Sequence, residues 1–178
     1  MTPEELKSLV RTVPDFPKPG IQFRDITTLI GHGPGFAATV MLMADRVRAT
    51  GADAIAGMEA RGFIFGAAVA AQLGLPFILI RKPGKLPIPT IGVDYALEYG
   101  TDRLEMDPDS VSENARIVIV DDLIATGGTA EAAAKLLRKA GARVDLAIFV
   151  IDLPDLGGAA LLRTLDLDVS AIMQFAGD

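Results

Sequence analysis

Two adjacent carboxylates followed by a loop of small residues form the clearest chemical pattern in this 178-residue sequence. The stretch IVIVDDLIATGGT begins with β-branched apolar residues, reaches Asp121 and Asp122, and continues into the loop ATGGT at 125–129. A glycine-rich loop that leads into a helix is typical of phosphate sites, because free backbone N–H groups and the helix dipole favour an anion there. The two threonines of the loop add hydroxyl donors. The stretch therefore predicts a phosphate site beside two acids.

The two carboxylates would repel a phosphate unless they bind a different part of the ligand. A carboxylate accepts hydrogen bonds from two neighbouring hydroxyl groups, so the pattern favours a phosphorylated sugar over a bare phosphate or a nucleoside triphosphate. The glycines are not followed by the Lys-Ser/Thr pair of a Walker loop, and they do not match the G-x-G-x-x-G dinucleotide fingerprint. A capped helix start with a solvated acidic turn is the alternative interpretation of these residues alone.

Composition excludes several classes of protein. The formal net charge of −6 argues against non-specific binding to nucleic acid, which calls for a basic face. The sequence has no cysteine, which excludes a disulfide framework and a zinc site built on sulfur. No run approaches the roughly 18 apolar residues of a membrane span, and MTPEELKSLV is acidic where a secretory signal is basic. We expect a cytoplasmic protein without a nucleic-acid or membrane partner.

Strand and helix patterns alternate along most of the chain. Near-continuous apolar strands separated by helices predict an α/β fold with a mostly parallel sheet covered on both faces, and ligands of such sheets collect at the carboxyl ends of the strands. Asp121 and Asp122 follow a predicted strand and would lie at such an end. The predicted elements are a capped helix at 2–13, an extended segment at 21–26, helices at 34–51, 62–73, 128–140 and 156–164, strands at 53–57, 76–80, 116–120, 143–151 and 168–175, and hairpin arms at 92–99 and 102–106.

Five further motifs accompany the acidic stretch in a characteristic order and spacing. They are PDFPKPGIQFRDI at 14–26, EARGFIFG at 59–66, RKPGKLP at 81–87, YALEYG at 95–100 and DLGG at 155–158. With VDDLIATGGT at 120–129, these motifs resemble those of the adenine phosphoribosyltransferases, a family of type I purine phosphoribosyltransferases. The resemblance implies a single domain over residues 1–178 with the type I phosphoribosyltransferase fold. It further implies a small hood at about 1–33 and a flexible hairpin lid at about 82–106.

The reaction implied by this resemblance belongs to purine salvage. It moves the 5-phosphoribosyl group of 5-phosphoribosyl 1-diphosphate to N9 of adenine, giving AMP and diphosphate. Mg²⁺ would be held mainly by the substrate, and the enzyme would be a homodimer. The alternatives are a related 6-oxopurine phosphoribosyltransferase and a sensor that binds phosphoribosyl diphosphate without turnover. A sensor of the regulatory type would need a DNA-binding segment, and the sequence has neither a helix-turn-helix nor a basic arm.

The resemblance also implies a role for each motif. Asp121 and Asp122 would orient the ribose hydroxyls, while Glu98 would protonate adenine N7 and Tyr99 would close the lid. Arg61 would bind diphosphate and is the fourth residue of the predicted catalytic set. The predicted substrate-binding residues are Gln22, Phe23, Arg24, Glu59, Ala60, Arg81, Lys82, Lys85, Tyr99, Ala125, Thr126, Gly127, Gly128 and Thr129.

Adenine would be recognised by the segment IQFRDI, with Phe23 stacking on the purine and Gln22 and Arg24 offering main-chain groups. Arg81 would reach the diphosphate site of the neighbouring subunit. In this family the peptide Glu59–Ala60 is often cis. Without the resemblance, the basic residues read as surface salt bridges or a solvated loop, and Glu98 as an exposed strand residue.

Two further residues are set apart in the sequence. Asp94 stands where many relatives carry a serine or threonine, so the resemblance implies that the lid of this chain lacks that hydroxyl group. The single histidine, His32, receives no role.

Overall fold

The N-terminal part of the chain forms a small unit ahead of the main sheet. The computed structural model describes residues 1–96 and 100–177. Its first elements are α1 (Pro3–Ser8), β1 (Arg11–Pro14), β2 (Gln22–Asp25) and α2 (Thr27–Gly31), and β1 pairs antiparallel with β2. The helix predicted over 2–13 was therefore too long. Its capping box is present at Thr2 and Glu5, but pairing with β2 draws residues 11–14 into a strand.

The remaining elements follow the predicted alternation, with boundaries that differ by a few residues. The central sheet has five parallel strands in the order β4-β3-β7-β8-β9, and β5 and β6 form a separate antiparallel hairpin. The predicted α/β fold with a mostly parallel sheet is confirmed. The elements are α3 (Gly33–Arg48), β3 (Ala54–Met58), α4 (Arg61–Leu73), β4 (Phe77–Ile80), β5 (Ile91–Ala96), β6 (Thr101–Met106), β7 (Arg116–Ile124), α5 (Gly128–Lys139), β8 (Arg143–Asp152), α6 (Gly158–Arg163) and β9 (Asp168–Gln174).

The sheet is covered on both faces, as its apolar strands require. One apolar layer includes Leu136 and Leu137 of α5, and the other includes Met43 of α3 and Phe65 of α4. Within residues 1–96 and 100–177, no helix is both long enough and apolar enough to span a lipid bilayer.

Strand β7 is longer than the predicted 116–120 and contains both acids. Its pairing with β3 ends at Val120 opposite Gly57, whereas its pairing with β8 continues to Ile124 opposite Asp152. The two acids therefore lie on a strand that has lost one neighbour and kept the other. This divergence opens a crevice at the carboxyl end of the sheet, where open α/β sheets bind ligands.

Helix α4 packs so closely on the sheet that Gly66→Ala is expected to lower the free energy of unfolding by about 1–3 kcal/mol. A Cβ atom at Gly66 would lie 2.5 Å from Cε2 of Phe77. Gly33→Ala is the matched control, because no atom lies within 4 Å of a Cβ placed there, and its expected change is at most about 0.5 kcal/mol. Urea unfolding of the two variants measures the difference. Equal stabilities would contradict the close packing.

Candidate active site

A pocket of about 420 Å³ lies at the carboxyl end of the sheet and brings three of the predicted segments together. These segments are the turn after β3, the acidic end of β7 and the glycine-rich loop before α5. The lining residues are Met58, Glu59, Ala60, Arg61, Asp121, Asp122, Leu123, Ile124, Ala125, Thr126, Gly127, Gly128, Thr129, Ala130 and Phe149.

The two carboxylates are enclosed by protein. Asp122 is only 5% exposed, and its Oδ2 lies 2.8 Å from Nε of Arg61. That ion pair is not aligned as a hydrogen bond, and Oδ2 has no hydrogen-bond partner in the described part of the chain. Asp121 accepts a hydrogen bond of 2.9 Å from the backbone N–H of Asp122. The pocket therefore offers a buried carboxylate oxygen that can still accept a hydrogen bond.

Burial shifts the titration of both acids. Desolvation raises the pKa of Asp121 well above its ordinary range, and the neighbouring Asp122 charge raises it further. Desolvation also raises the pKa of Asp122, although the Arg61 cation opposes that shift. The charged form of the pair is thus unfavourable unless hydrogen-bond donors or further positive charge stabilise it.

Gly62 provides the space in which Asp121 sits, a role that the sequence analysis missed. A Cβ atom at Gly62 would lie 2.4 Å from Oδ1 of Asp121. The glycine directly after Arg61 in the EARG motif was the available signal. The sequence shows this glycine but not why it is needed, because it does not show which side chain approaches it.

The glycine-rich loop contacts the backbone of the DLGG segment. Gly127, with φ of +87°, precedes the first turn of α5, and its conformation favours glycine. The backbone N–H of Gly158 donates to the carbonyl of Ala125 over 3.0 Å. A Cβ atom at Gly158 would lie 2.3 Å from that same carbonyl oxygen. Two glycine-containing turns therefore touch backbone to backbone, which fixes the position of the loop.

The basic loop after β4 lies outside the pocket lining and is tied to Glu59. Nε of Arg81 and the backbone N–H of Lys82 both donate to Oε2 of Glu59, over 3.1 and 3.0 Å. Arg81 also donates to the carbonyl of Lys85 over 3.0 Å. The Glu59–Ala60 peptide is cis. The side chains of Glu59 and Arg81 therefore bind each other within the same chain.

Lys82 is tied to the turn end of the hairpin. Its ammonium group pairs with Asp102 and donates to the hydroxyl of Tyr95 over 2.9 Å, and that hydroxyl donates to Asp102 over 3.0 Å. The sequence analysis did not identify Tyr95 or Asp102, because neither residue is near the loop in the sequence. Asp94 pairs with Arg103 of the opposite strand at 3.0 Å.

Of the segment predicted to read adenine, Phe23 lies nearest the pocket. Its ring centroid lies 5.8 Å from the Arg61 guanidinium. The ring packs edge to face on Phe16, with 5.2 Å between the two ring centroids. Phe23 and its β2 neighbours Gln22 and Arg24 all lie outside the pocket lining. Glu98 and Tyr99 lie outside the described residues.

His32 has a structural role. Its Nδ1 accepts a hydrogen bond of 3.0 Å from the backbone N–H of Gly35 and so caps α3.

Comparisons with known proteins agree on one family. The model of the phosphoribosyl transferase domain matches residues 28–158. The adenine phosphoribosyltransferase of Erythrobacter litoralis is 68% identical over 99% of both chains. A crystal structure of adenine phosphoribosyltransferase from Thermoanaerobacter pseudethanolicus is 46% identical, with a TM-score of 0.92 over 98% of this chain and 100% of that one. The Saccharomyces cerevisiae enzyme, complexed with an imino-altritol bisphosphate and adenine, is 32% identical, with a TM-score of 0.90 over 96% and 98%.

Asp121→Asn is expected to stabilise the protein at pH 8 by about 1–3 kcal/mol, because it removes a poorly solvated charge. The pKa of Asp121 is raised on folding, so the native state binds more protons than the unfolded state between the ordinary pKa of about 3.9 and the raised value. Wild-type stability therefore falls as the pH rises through that window. The variant should lack this fall, and urea titrations between pH 4 and pH 8 measure it.

Asp25→Asn is the control of opposite sign. Hydrogen bonds from Thr27 and from Arg11 lower the pKa of Asp25 to about 2. Its contribution to stability is present above about pH 4 and is lost as the pH falls towards 2, so this variant should be less stable at pH 7. The interpretation of Asp121 would be wrong if both variants lost stability at pH 8.

Proposed function

This chain belongs to the adenine phosphoribosyltransferase family, and we propose that its pocket carries out the family reaction in purine salvage. The reaction transfers the 5-phosphoribosyl group of 5-phosphoribosyl 1-diphosphate to N9 of adenine and releases AMP and diphosphate. One observation carries the proposal: two adjacent carboxylates, of which Asp122 is buried, and a glycine-rich helix start share one pocket. A phosphorylated sugar needs both, because its hydroxyl groups donate hydrogen bonds and its phosphate accepts them.

Asp121 and Asp122 bind the ribose hydroxyls in this proposal. The buried Oδ2 of Asp122, which lacks a hydrogen-bond partner among the described residues, supports this role. During transfer the ribose C1 becomes cationic as diphosphate leaves, and two carboxylates nearby favour that positive charge. Arg61, now 2.8 Å from Asp122, turns to the departing diphosphate when substrate binds.

The loop at 125–129 binds the 5-phosphate. Its backbone N–H groups lie at the N-terminus of the 12-residue helix α5, where the helix dipole favours an anion. The threonine hydroxyls of the loop add donors. Contact with Gly158 holds the loop in place before the ligand arrives, which lowers the entropic cost of binding.

Mg²⁺ fits this site as a partner of the substrate. In the described part of the chain, no three histidine, cysteine or acidic side chains cluster closely enough to hold a metal ion. The pocket does offer carboxylate oxygens from Asp121 and Asp122, and Mg²⁺ prefers oxygen ligands from carboxylates and phosphates. Bound Mg²⁺ would neutralise charge on the diphosphate.

The hood at about 1–33 and the lid at about 82–106 hold adenine in this proposal. Phe23 stacks on the purine while main-chain groups of Gln22 and Arg24 bind its edge, which is consistent with the place of Phe23 beside Arg61. Glu98 donates a proton to N7 as N9 attacks, and Tyr99 closes over the base. Lys82 and Lys85 lie next to the diphosphate. The adenine in the Saccharomyces cerevisiae complex supports the choice of base.

We propose a homodimer in which Arg81 enters the partner's site. Exposed apolar side chains on α4, on β4 and in the loop after β4 are available for a protein contact: Ile64, Leu79 and Ile88. Arg81 exchanges its present partner, Glu59, for diphosphate. A cytoplasmic location remains a prediction from the sequence.

The first experiment measures diphosphate release with phosphoribosyl diphosphate and Mg²⁺, comparing adenine, hypoxanthine, guanine and no base. We expect release with adenine only. Release with hypoxanthine or guanine would keep the mechanism and reject the proposed base. Binding of phosphoribosyl diphosphate without release for any base would support a sensor and reject the enzyme.

A complementation experiment tests the shared site. Arg81→Ala and Asp122→Asn are each expected to lower turnover at least about 100-fold. Heterodimers of the two variants, isolated through two different affinity tags, should regain about half of the wild-type turnover, because one of their two sites is intact. If Arg81 serves its own subunit, each site of the heterodimer carries one defect and no turnover returns.

A further inference from the structure

The side chain of Arg24 points away from the proposed base site and towards the C-terminal segment. One guanidinium nitrogen donates to the hydroxyl of Thr12 over 2.7 Å, and another donates to the carbonyl of Ala176 over 3.1 Å. The guanidinium carbon lies 4.7 Å from the ring centroid of Phe175. Strand β2, which carries Arg24, is thereby fastened to residues 175–177, which we call the C-terminal clamp.

The clamp is itself firmly held. Phe175 is 8% exposed, and the ammonium group of Lys7 lies 4.7 Å from its ring centroid, so two cations contact one ring. Its backbone N–H donates to the carbonyl of Asp152 over 3.1 Å. At the other end of the clamp, the backbone N–H of Gly177 donates to Oδ2 of Asp155 over 2.7 Å.

These contacts connect the hood to the pocket wall. Asp152 ends β8, and the next residue, Leu153, donates its backbone N–H to the carbonyl of Ile124 over 3.0 Å. Ile124 lines the pocket and precedes the phosphate loop. Asp155 belongs to the DLGG segment that supports this loop. The clamp thus touches both the strand proposed to read the base and the segments beside the proposed phosphate site.

We propose that Arg24 is a positioning residue, whose side chain, held by the C-terminal clamp, sets the position of the hood strand that reads adenine. This inference rests on the proposed function, in which main-chain groups of Gln22 and Arg24 bind the base. Main-chain recognition depends on where the whole strand lies. A two-stranded sheet such as β1–β2 is marginally stable by itself and needs an external support.

Burial of the Arg24 side chain agrees with this role. Its Nε is buried and has no hydrogen-bond partner in the described part of the chain. Burying part of a guanidinium without full pairing is unfavourable, and a shorter apolar side chain would avoid the cost. An apolar side chain, however, could not join Thr12, Phe175 and Ala176 at once.

The test compares Arg24→Gln and Phe175→Leu with a matched control, Arg46→Gln. Arg46 is also partly buried and ties α3 to β9 through a 2.7 Å hydrogen bond to Ser170, so its loss should affect stability without touching the hood. For each variant we would measure Tm, kcat, and the KM of adenine and of phosphoribosyl diphosphate. We expect Arg24→Gln and Phe175→Leu to raise the KM of adenine about tenfold. The KM of phosphoribosyl diphosphate should stay within about twofold, and Arg46→Gln should change neither KM.

A conservative variant separates position from stability. Arg24→Lys keeps a cation over the Phe175 ring but loses the forked donors, so it should raise the KM of adenine less than Arg24→Gln does. If Arg24→Gln does not fold, Arg24→Lys and Phe175→Leu allow the same comparison.

An unchanged adenine KM, or equal increases in both KM values, would overturn the inference while leaving the proposed function intact. A wild-type protein that is inactive with adenine would overturn both.

Discussion

The desolvation of two adjacent carboxylates is the constraint on which the site depends. Strand β7 carries Asp121 and Asp122 beyond the end of its pairing with β3, into a position where both acids are poorly solvated. The fold tolerates this through particular contacts. Gly62 leaves space for one carboxylate, and Arg61 neutralises the other. The start of α4 and the acidic end of β7 are thus matched to each other.

Around these acids, one set of contacts fixes the position of a loop and a strand, and a second set pairs Arg61 and Arg81 with acids of their own chain. The loop at 125–129 is held by Gly158, and strand β2 is held by the C-terminal clamp through the Arg24 side chain. In contrast, Arg61 and Arg81 bind acids of their own chain in positions that a strongly anionic ligand would compete for. A rigid frame with exchangeable cations suits a reaction in which a large negative charge must be bound and then released.

The sequence predicted the fold class and the segments of the pocket well, because both follow from local patterns. The apolar runs of the strands and the glycines after helices are visible without any tertiary contact. The failures share one cause. The predicted first helix lost residues 11–13 to pairing with β2, and β7 extends past its predicted end because its pairing with β8 continues. The partners of Lys82, Asp102 and Tyr95, were not predicted either, because they lie far from it in the sequence. Only the folded chain reveals such partners.

The ion pair between Arg61 and Asp122 also has a consequence for how a charged ligand reaches the pocket. Arg61 lines the pocket but is already neutralised, and the chain carries a net charge of −6. A polyanion therefore approaches against the long-range field of the protein, and attraction begins only at contact distance. Dissolved ions screen this repulsion over about 8 Å at physiological ionic strength. Association should consequently become faster as salt is added, which is the reverse of the behaviour of an electrostatically steered enzyme.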